Sequence, residues 1–164
     1  MRVYELAKEL KTDCVEFIPE QPFTQAPSRQ ERTQEQRDAF IKKIRWTVDY
    51  LKSRKRDGVP IENSPRHLAL FEHSFSGAPS PVVCYAAYNS LAFDSYGELY
   101  PCMSWLSWGR AVGNASTSSL ERFWYSREYT KVRPALMRCR DCYLNCQTEL
   151  NLLFNPFRRI KRRR

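Results

Sequence analysis

Apolar residues recur every three or four positions at the start of the chain. Val3, Leu6, Ala7 and Leu10 predict an amphipathic helix over residues 3–10. Cys14-Val-Glu-Phe-Ile-Pro19 is short and rich in strand formers, and predicts a strand that Pro19 ends. Residues 19–30 hold three prolines among polar neighbours and read as a loop. Thr33 and Gln36 have capping-box spacing, and Phe40, Ile41, Ile44, Val48 and Leu51 then share one helical face. Trp46 is expected to be partial core. Gly58 is the expected stop, after Lys52, Arg54, Lys55 and Arg56, whose cations suit the negative end of a helix.

A single strand between two helices has no sheet to join in its own segment, and open strand edges are costly. The opening therefore reads as the last βα unit of a larger α/β barrel. Residues 64–81 hold Pro65, Gly77, Pro79 and Pro81 around Leu68, Leu70 and Phe71, and read as a linker with a turn or two of helix. His67 and His73, six apart, fall on different helical faces and read as solvated or internally satisfied side chains.

From residue 84 the pattern changes. Ser90–Tyr100 predicts a β-hairpin turning at Asp94-Ser-Tyr-Gly97, with Gly97 in the positive-φ region. A hairpin of this kind would return Cys102 to the same end of the sheet as Cys84. Val112-Gly-Asn114 predicts a short strand and turn. Ser118 with Glu121 predicts a capped helix packed through Leu120, Phe123, Trp124 and Tyr125, which Pro134 limits.

Charge changes this picture little. The net charge is +9, but Arg158, Arg159, Lys161, Arg162, Arg163 and Arg164 carry six of the nine, leaving an ordinary +3 elsewhere. No run of about 18 apolar residues exists to span a membrane. The N-terminus lacks the apolar centre of a signal peptide, which points to the cytosol, where thiols stay reduced.

Candidate chemistry lies in the cysteines. Cys84 and Cys102 bracket the hairpin, and Cys139-Arg-Asp-Cys142 follows the helical segment with Cys146 close behind. Four thiolates complete a tetrahedral zinc site or hold an iron–sulfur cluster, and two-residue spacing suits either. An even total of six cysteines leaves a disulfide framework open, although the cytosolic argument weighs against it. A redox pair at Cys139 and Cys142 is a further reading, but the βαβ setting such pairs favour is missing from this half. Asp94 and Glu98 flank a turn and lack the third partner that an acid–base site needs.

Together these features resemble the SPASM or twitch extension of radical S-adenosylmethionine (radical SAM) enzymes. The resemblance rests on Cys84, on Asn89-Ser-Leu-Ala-Phe-Asp-Ser-Tyr-Gly-Glu-Leu-Tyr-Pro-Cys102, on Val112-Gly-Asn114, on Ser119-Leu-Glu-Arg-Phe-Trp124 and on Cys139-Arg-Asp-Cys142-Tyr-Leu-Asn-Cys146, across about residues 84–150. It implies one auxiliary [4Fe–4S] cluster on Cys84, Cys102, Cys139 and Cys142, with Cys146 as an alternative ligand. Five cysteines from residue 84 onward cannot ligate two such clusters. Tyr85, Tyr100, Trp105 and Trp108 would shield the cluster, although core packing is the commoner role for such residues.

The implied fold is α+β: a hairpin-plus-helix cluster domain over residues 83–150, a helix–strand–helix barrel remnant over 1–63, a linker at 64–82 and a basic tail at 151–164. The implied function is electron relay or substrate engagement within a radical SAM modifying enzyme. Its partners would be a barrel domain or subunit and a peptide or small-molecule substrate. The Cys-x3-Cys-x2-Cys loop that generates the radical is absent from this sequence, where Cys14 stands alone. The alternative is a structural four-cysteine zinc module whose basic tail grips nucleic acid through phosphate neutralisation.

Overall fold

The computed structural model describes residues 2–19 and 33–155. The loop expected at 19–30 and the basic tail fall largely outside them. The architecture is mixed α and β, with a small antiparallel sheet of three strands. The described residues divide into two units, one of residues 2–19 and 33–79 with 143–145 and the other of residues 80–142 with 146–155.

In the first unit α1 (Arg2–Glu9) forms as the periodicity predicts. Its apolar face is nevertheless open: Val3, Leu6 and Leu10 are all more than half exposed. The expected strand at 14–19 shrinks to one bridge, Val15 pairing in parallel with Ile61. Between these two residues runs α2 (Gln34–Arg56), whose capping box of Thr33 and Gln36 is complete. Its C-terminal end turns through Asp57 into Gly58 at φ +85°, a backbone region that glycine enters without a Cβ clash. Val48 and Leu51 are the buried residues of α2. Trp46 departs from the sequence reading, since it lies outside on the helix, stacked on Tyr50 at 5.5 Å.

The stretch read as a linker joins this core. Ser64 caps α3 (Pro65–Leu68), and α4 (Phe71–Phe75) follows directly. Leu68 and Phe71 pack with Val48, Leu51, Val59 and Ile61. Arg45 of α2 meets Glu72 of α4 at 2.5 Å. His67 is fully buried and internally satisfied: Asn63 Nδ2 reaches its Nδ1 at 3.0 Å, and its Nε2 reaches the Tyr143 carbonyl at 3.1 Å.

In the second unit the hairpin is present as β1 (Ala92–Phe93) and β2 (Glu98–Tyr100), joined antiparallel with Phe93 opposite Leu99. Asp94 builds the turn, its Oδ1 accepting the amides of Tyr96 and Glu98, and Gly97 adopts φ +81°. β3 (Gly113–Asn114) adds to β2, with Gly113 opposite Leu99. Gly113 is required by space: a Cβ there would meet the Phe123 ring at 2.4 Å.

After α5 (Met103–Ser107), two helices replace the one predicted. α6 (Leu120–Trp124) is capped by Ser119 in place of Ser118, and α7 (Arg127–Arg138) by Ser126. Pro134 lies inside α7 without ending it. Tyr129 and Leu136, buried on either side of it, hold both halves against the core, which outweighs one missing backbone hydrogen bond. Of the four residues expected to pack α6, only Phe123 is buried; Leu120 and Tyr125 face solvent. α8 (Asn145–Leu153) completes the described chain. Among the described residues no helix is long and apolar enough to cross a membrane.

Asn63 replaces a missing strand neighbour. Its Oδ1 accepts the Phe17 amide at 2.8 Å and its Nδ2 donates to the Phe17 carbonyl at 2.7 Å, with the side chain fully buried. Asn63→Ala removes both bonds and the one to His67. We expect urea unfolding to show a loss of about 2–4 kcal/mol, because buried polar groups are left unpaired. Asn63→Asp should recover the Phe17 amide alone.

Candidate metal centre

Three of the expected cysteines share one neighbourhood. Cys84 is buried with Ala86, Ala87, Leu99, Phe123, Tyr129 and Leu136, and half-buried Cys102 and Cys139 pack against this group. Cys102 and Cys139 stand at the ends of helices, and Cys84 lies in the irregular stretch between α4 and β1. Cys84 precedes the turn in which the Tyr85 carbonyl accepts the amides of Tyr88 and Asn89. Cys102 is the N-cap residue of α5, and Cys139 is the C-cap residue of α7. Such positions leave a side chain unencumbered by helical neighbours while the element fixes its root.

The convergence has identifiable causes. Tyr129 of α7 donates its hydroxyl to the Ser90 carbonyl at 3.2 Å. One turn on, Arg133 donates through Nε to the Ala87 carbonyl at 3.0 Å and through Nη2 to the Trp124 carbonyl at 2.8 Å. Its guanidinium also lies over the rings of Tyr88, Trp124 and Tyr129. Ala87 is held at φ +64°, an uncommon backbone for alanine, and is fully buried. On the approach side, the Ser80 amide donates to the Arg140 carbonyl at 2.7 Å, which joins the segment entering Cys84 to the loop carrying Cys139 and Cys142.

The surroundings favour protonated thiols in the metal-free chain. Burial pushes the Cys84 thiol up to about 11, and the nearby Cys139 and Cys102 sulfurs add to the shift against the Ala86 amide. Burial also raises Cys102, while the amides of Trp105 and Ser104 and the Ser104 hydroxyl favour its thiolate. Burial lifts Tyr129 to about 12, against the pull of Arg133.

Cys142 is half-buried in the loop between α7 and α8, three residues past Cys139, and is not a member of the buried group that gathers the other three. Cys146 is exposed on the first turn of α8, and Cys14 is exposed in the first unit. All six cysteines are thiols, so the disulfide framework left open by their even number is absent here. Among the described residues, no group of three or more His, Cys, Asp or Glu side chains stands ready to hold a metal ion. The three sulfurs share a neighbourhood without converging on one point.

Of the four aromatics expected to shield the site, Tyr100 is buried and Trp105 packs against the sulfur-bearing core. Tyr85 is half-buried and tilts against Phe154, while Trp108 is 43% exposed with Arg110 over its ring. Sequence reasoning missed Arg133, Tyr129 and the amides of α8. A helix face read at i, i+4 from Tyr129 would have paired the first two.

The donor set fits an iron–sulfur centre: sulfur ligands only, rooted in a packed apolar shell, with backbone amides nearby. Comparison with protein families agrees. Residues 84–143 match the SPASM family, described as an iron–sulfur cluster-binding domain, and the chain carries a domain of that type. No curated protein and no solved structure matches the chain.

The raised Cys84 pKa fixes the sign of a pH effect. A thiol whose folded pKa exceeds its unfolded value near 9 stabilises the fold below pH 9, and that contribution is lost as pH rises toward 11. In metal-free, reduced protein, unfolding free energies should show a Cys84→Ala penalty that is smaller at about pH 10.5 than at about pH 8, by up to roughly 2 kcal/mol. An equal penalty at both values would contradict the assigned burial of the charge.

Proposed function

We propose that the SPASM domain of this chain holds one auxiliary [4Fe–4S] cluster on Cys84, Cys102, Cys139 and Cys142. We propose further that it serves a radical SAM modifying enzyme whose radical-generating barrel is supplied by another segment or subunit. The observation that carries this is that half-buried Cys102 and Cys139, at the ends of two helices, pack against the buried group that holds Cys84, inside the matched region. Cys142 is the preferred fourth ligand because its loop follows directly on Cys139 and it is less exposed than Cys146.

Bound there, the cluster supplies a one-electron relay toward a substrate radical, or a site that anchors substrate. The protein's part is to root and dry the ligands. Leu99, Phe123 and Leu136 exclude water from the Cys84 side, and Arg133 keeps the Cys84 turn closed. Cys84 and Cys102 must surrender protons their surroundings retain, so loading releases protons and weakens as pH falls.

Support for a barrel partner comes from the first unit. Val15 and Ile61 pair in parallel across the intervening helix α2, the connection that parallel α/β sheets use. The open apolar side of α1 is consistent with a missing neighbour. The substrate would be a peptide or small molecule, and the setting cytoplasmic.

Anaerobic expression and reconstitution test this reading on the full chain. Wild type should be brown, with about four irons and four sulfides per chain, and Cys84→Ala, Cys102→Ala and Cys139→Ala should each lose most of that iron. Cys142→Ala should lose it too, while Cys146→Ala keeps it; the reverse would exchange the fourth ligand. A colourless wild type without iron defeats the proposal, and stoichiometric zinc with salt-sensitive nucleic-acid binding would install the alternative.

A further inference from the structure

Helix α8 lies past residue 143, where the family match ends, yet two amides on one of its faces reach back to the turn that follows Cys84. Gln147 and Asn151 stand one helical turn apart and are both at least nine-tenths buried. Asn151 Oδ1 accepts the Tyr85 amide at 2.7 Å. Gln147 Nε2 donates to Asn151 Oδ1 at 2.8 Å and to Asn89 Oδ1 at 3.1 Å, and its Oε1 accepts the Ser90 hydroxyl at 2.5 Å. Just past the helix, the Phe154 ring tilts against that of Tyr85 at 5.8 Å.

One backbone group fixes the sense of this whole series of bonds. The Tyr85 N–H can only donate, so the Asn151 atom facing it is oxygen. The Gln147 atom facing that oxygen is then nitrogen, which turns the Gln147 oxygen toward Ser90. Burying two amide side chains is costly, and the bonds that offset the cost end on residues 85, 89 and 90.

The Tyr85 amide belongs to the planar peptide unit that begins at the Cys84 Cα. Through Tyr129 and Arg133, α7 holds the later part of the turn, at Ser90 and Ala87. The α8 contact holds its first peptide, next to the sulfur-bearing residue.

We propose that Asn151 is a positioning residue for Cys84: its oxygen sets the peptide plane from which that side chain springs, and Gln147 sets the oxygen. The working cluster unit then extends through α8, past the matched residues. That the hold serves a cluster rests on the cluster reading above; the hold itself does not.

Asn151→Leu removes the acceptor, and Asn151→Asp presents an oxygen at the same reach. In metal-free, reduced full-length chain under native conditions, the alkylation rate of each thiol is read by mass spectrometry. The Leu variant should label Cys84 about tenfold faster, the effect on local opening of losing one buried hydrogen bond, with Cys139 within about twofold of wild type. The Asp variant should stay close to wild type at both. After anaerobic reconstitution the Leu variant should hold less than about half of the wild-type iron, and the Asp variant nearly all of it.

Unchanged Cys84 labelling in the Leu variant, an equal acceleration of all cysteines, or an Asp variant that behaves like Leu would each overturn the positioning role. A Leu variant that loads iron as fully as wild type would overturn its service to the cluster. A wild type that takes up no iron while the labelling behaves as expected would overturn the cluster reading and leave the hold on Cys84 in place. Should the variants fail to fold, amide exchange in wild type decides: the Tyr85 amide should exchange within about tenfold of that of buried Leu136 in α7, and rapid exchange overturns the proposal.

Discussion

The second unit depends on the grip of α7 on the turn that follows Cys84. Tyr129 and Arg133, four residues apart and hence on one helical face, bind the carbonyls of Ser90 and Ala87. The helix that makes this grip ends at Cys139, so the bonds that fix the turn also bring a sulfur from far along the sequence beside Cys84. Arg133 is well suited to the role. Its planar fork serves two carbonyls at once while its face lies over three aromatic rings, an arrangement that a lysine ammonium cannot reproduce.

Around that grip, the chemistry of the sulfurs follows from where they are buried. A thiol among Leu99, Phe123 and Leu136 has little to stabilise a negative charge, so the metal-free chain keeps Cys84 neutral and apolar, part of the core. At Cys102 the amides of Trp105 and Ser104 and the Ser104 hydroxyl partly offset burial, as the Ala86 amide does at Cys84. The sulfurs of Cys84, Cys102 and Cys139 are neighbours that do not converge on a common centre.

What could be read from the chain alone divides along physical lines. The turn at Asp94–Gly97, the Thr33 capping box and the Gly58 stop are local chemistry, legible because a few adjacent residues fix them. The resemblance implied four cysteine ligands, and three of those cysteines share one neighbourhood. Pro134 misled because it carries a local veto that tertiary packing overrode. The rings of Trp46 and Tyr125 were expected to pack but are exposed, because a pattern of apolar positions says only that a face exists, not what covers it. Residues 64–81 looked like a connector because their prolines dominate, while Leu68 and Phe71 were core. The buried amides Asn63 and Asn151 left no trace in the pattern, since their partners lie tens of residues away.

The placement of Cys139 as the C-cap residue of α7 has a consequence for how this chain can vary. Its composition is permissive wherever the helix faces solvent, but its length is not. One residue inserted between Arg133 and Cys139 would swing the sulfur through about 100° while the grip on Ala87 stayed where it is. Relatives that keep the centre should therefore tolerate many exchanges along this helix and almost no insertions or deletions within it, with added residues confined to the loops on either side.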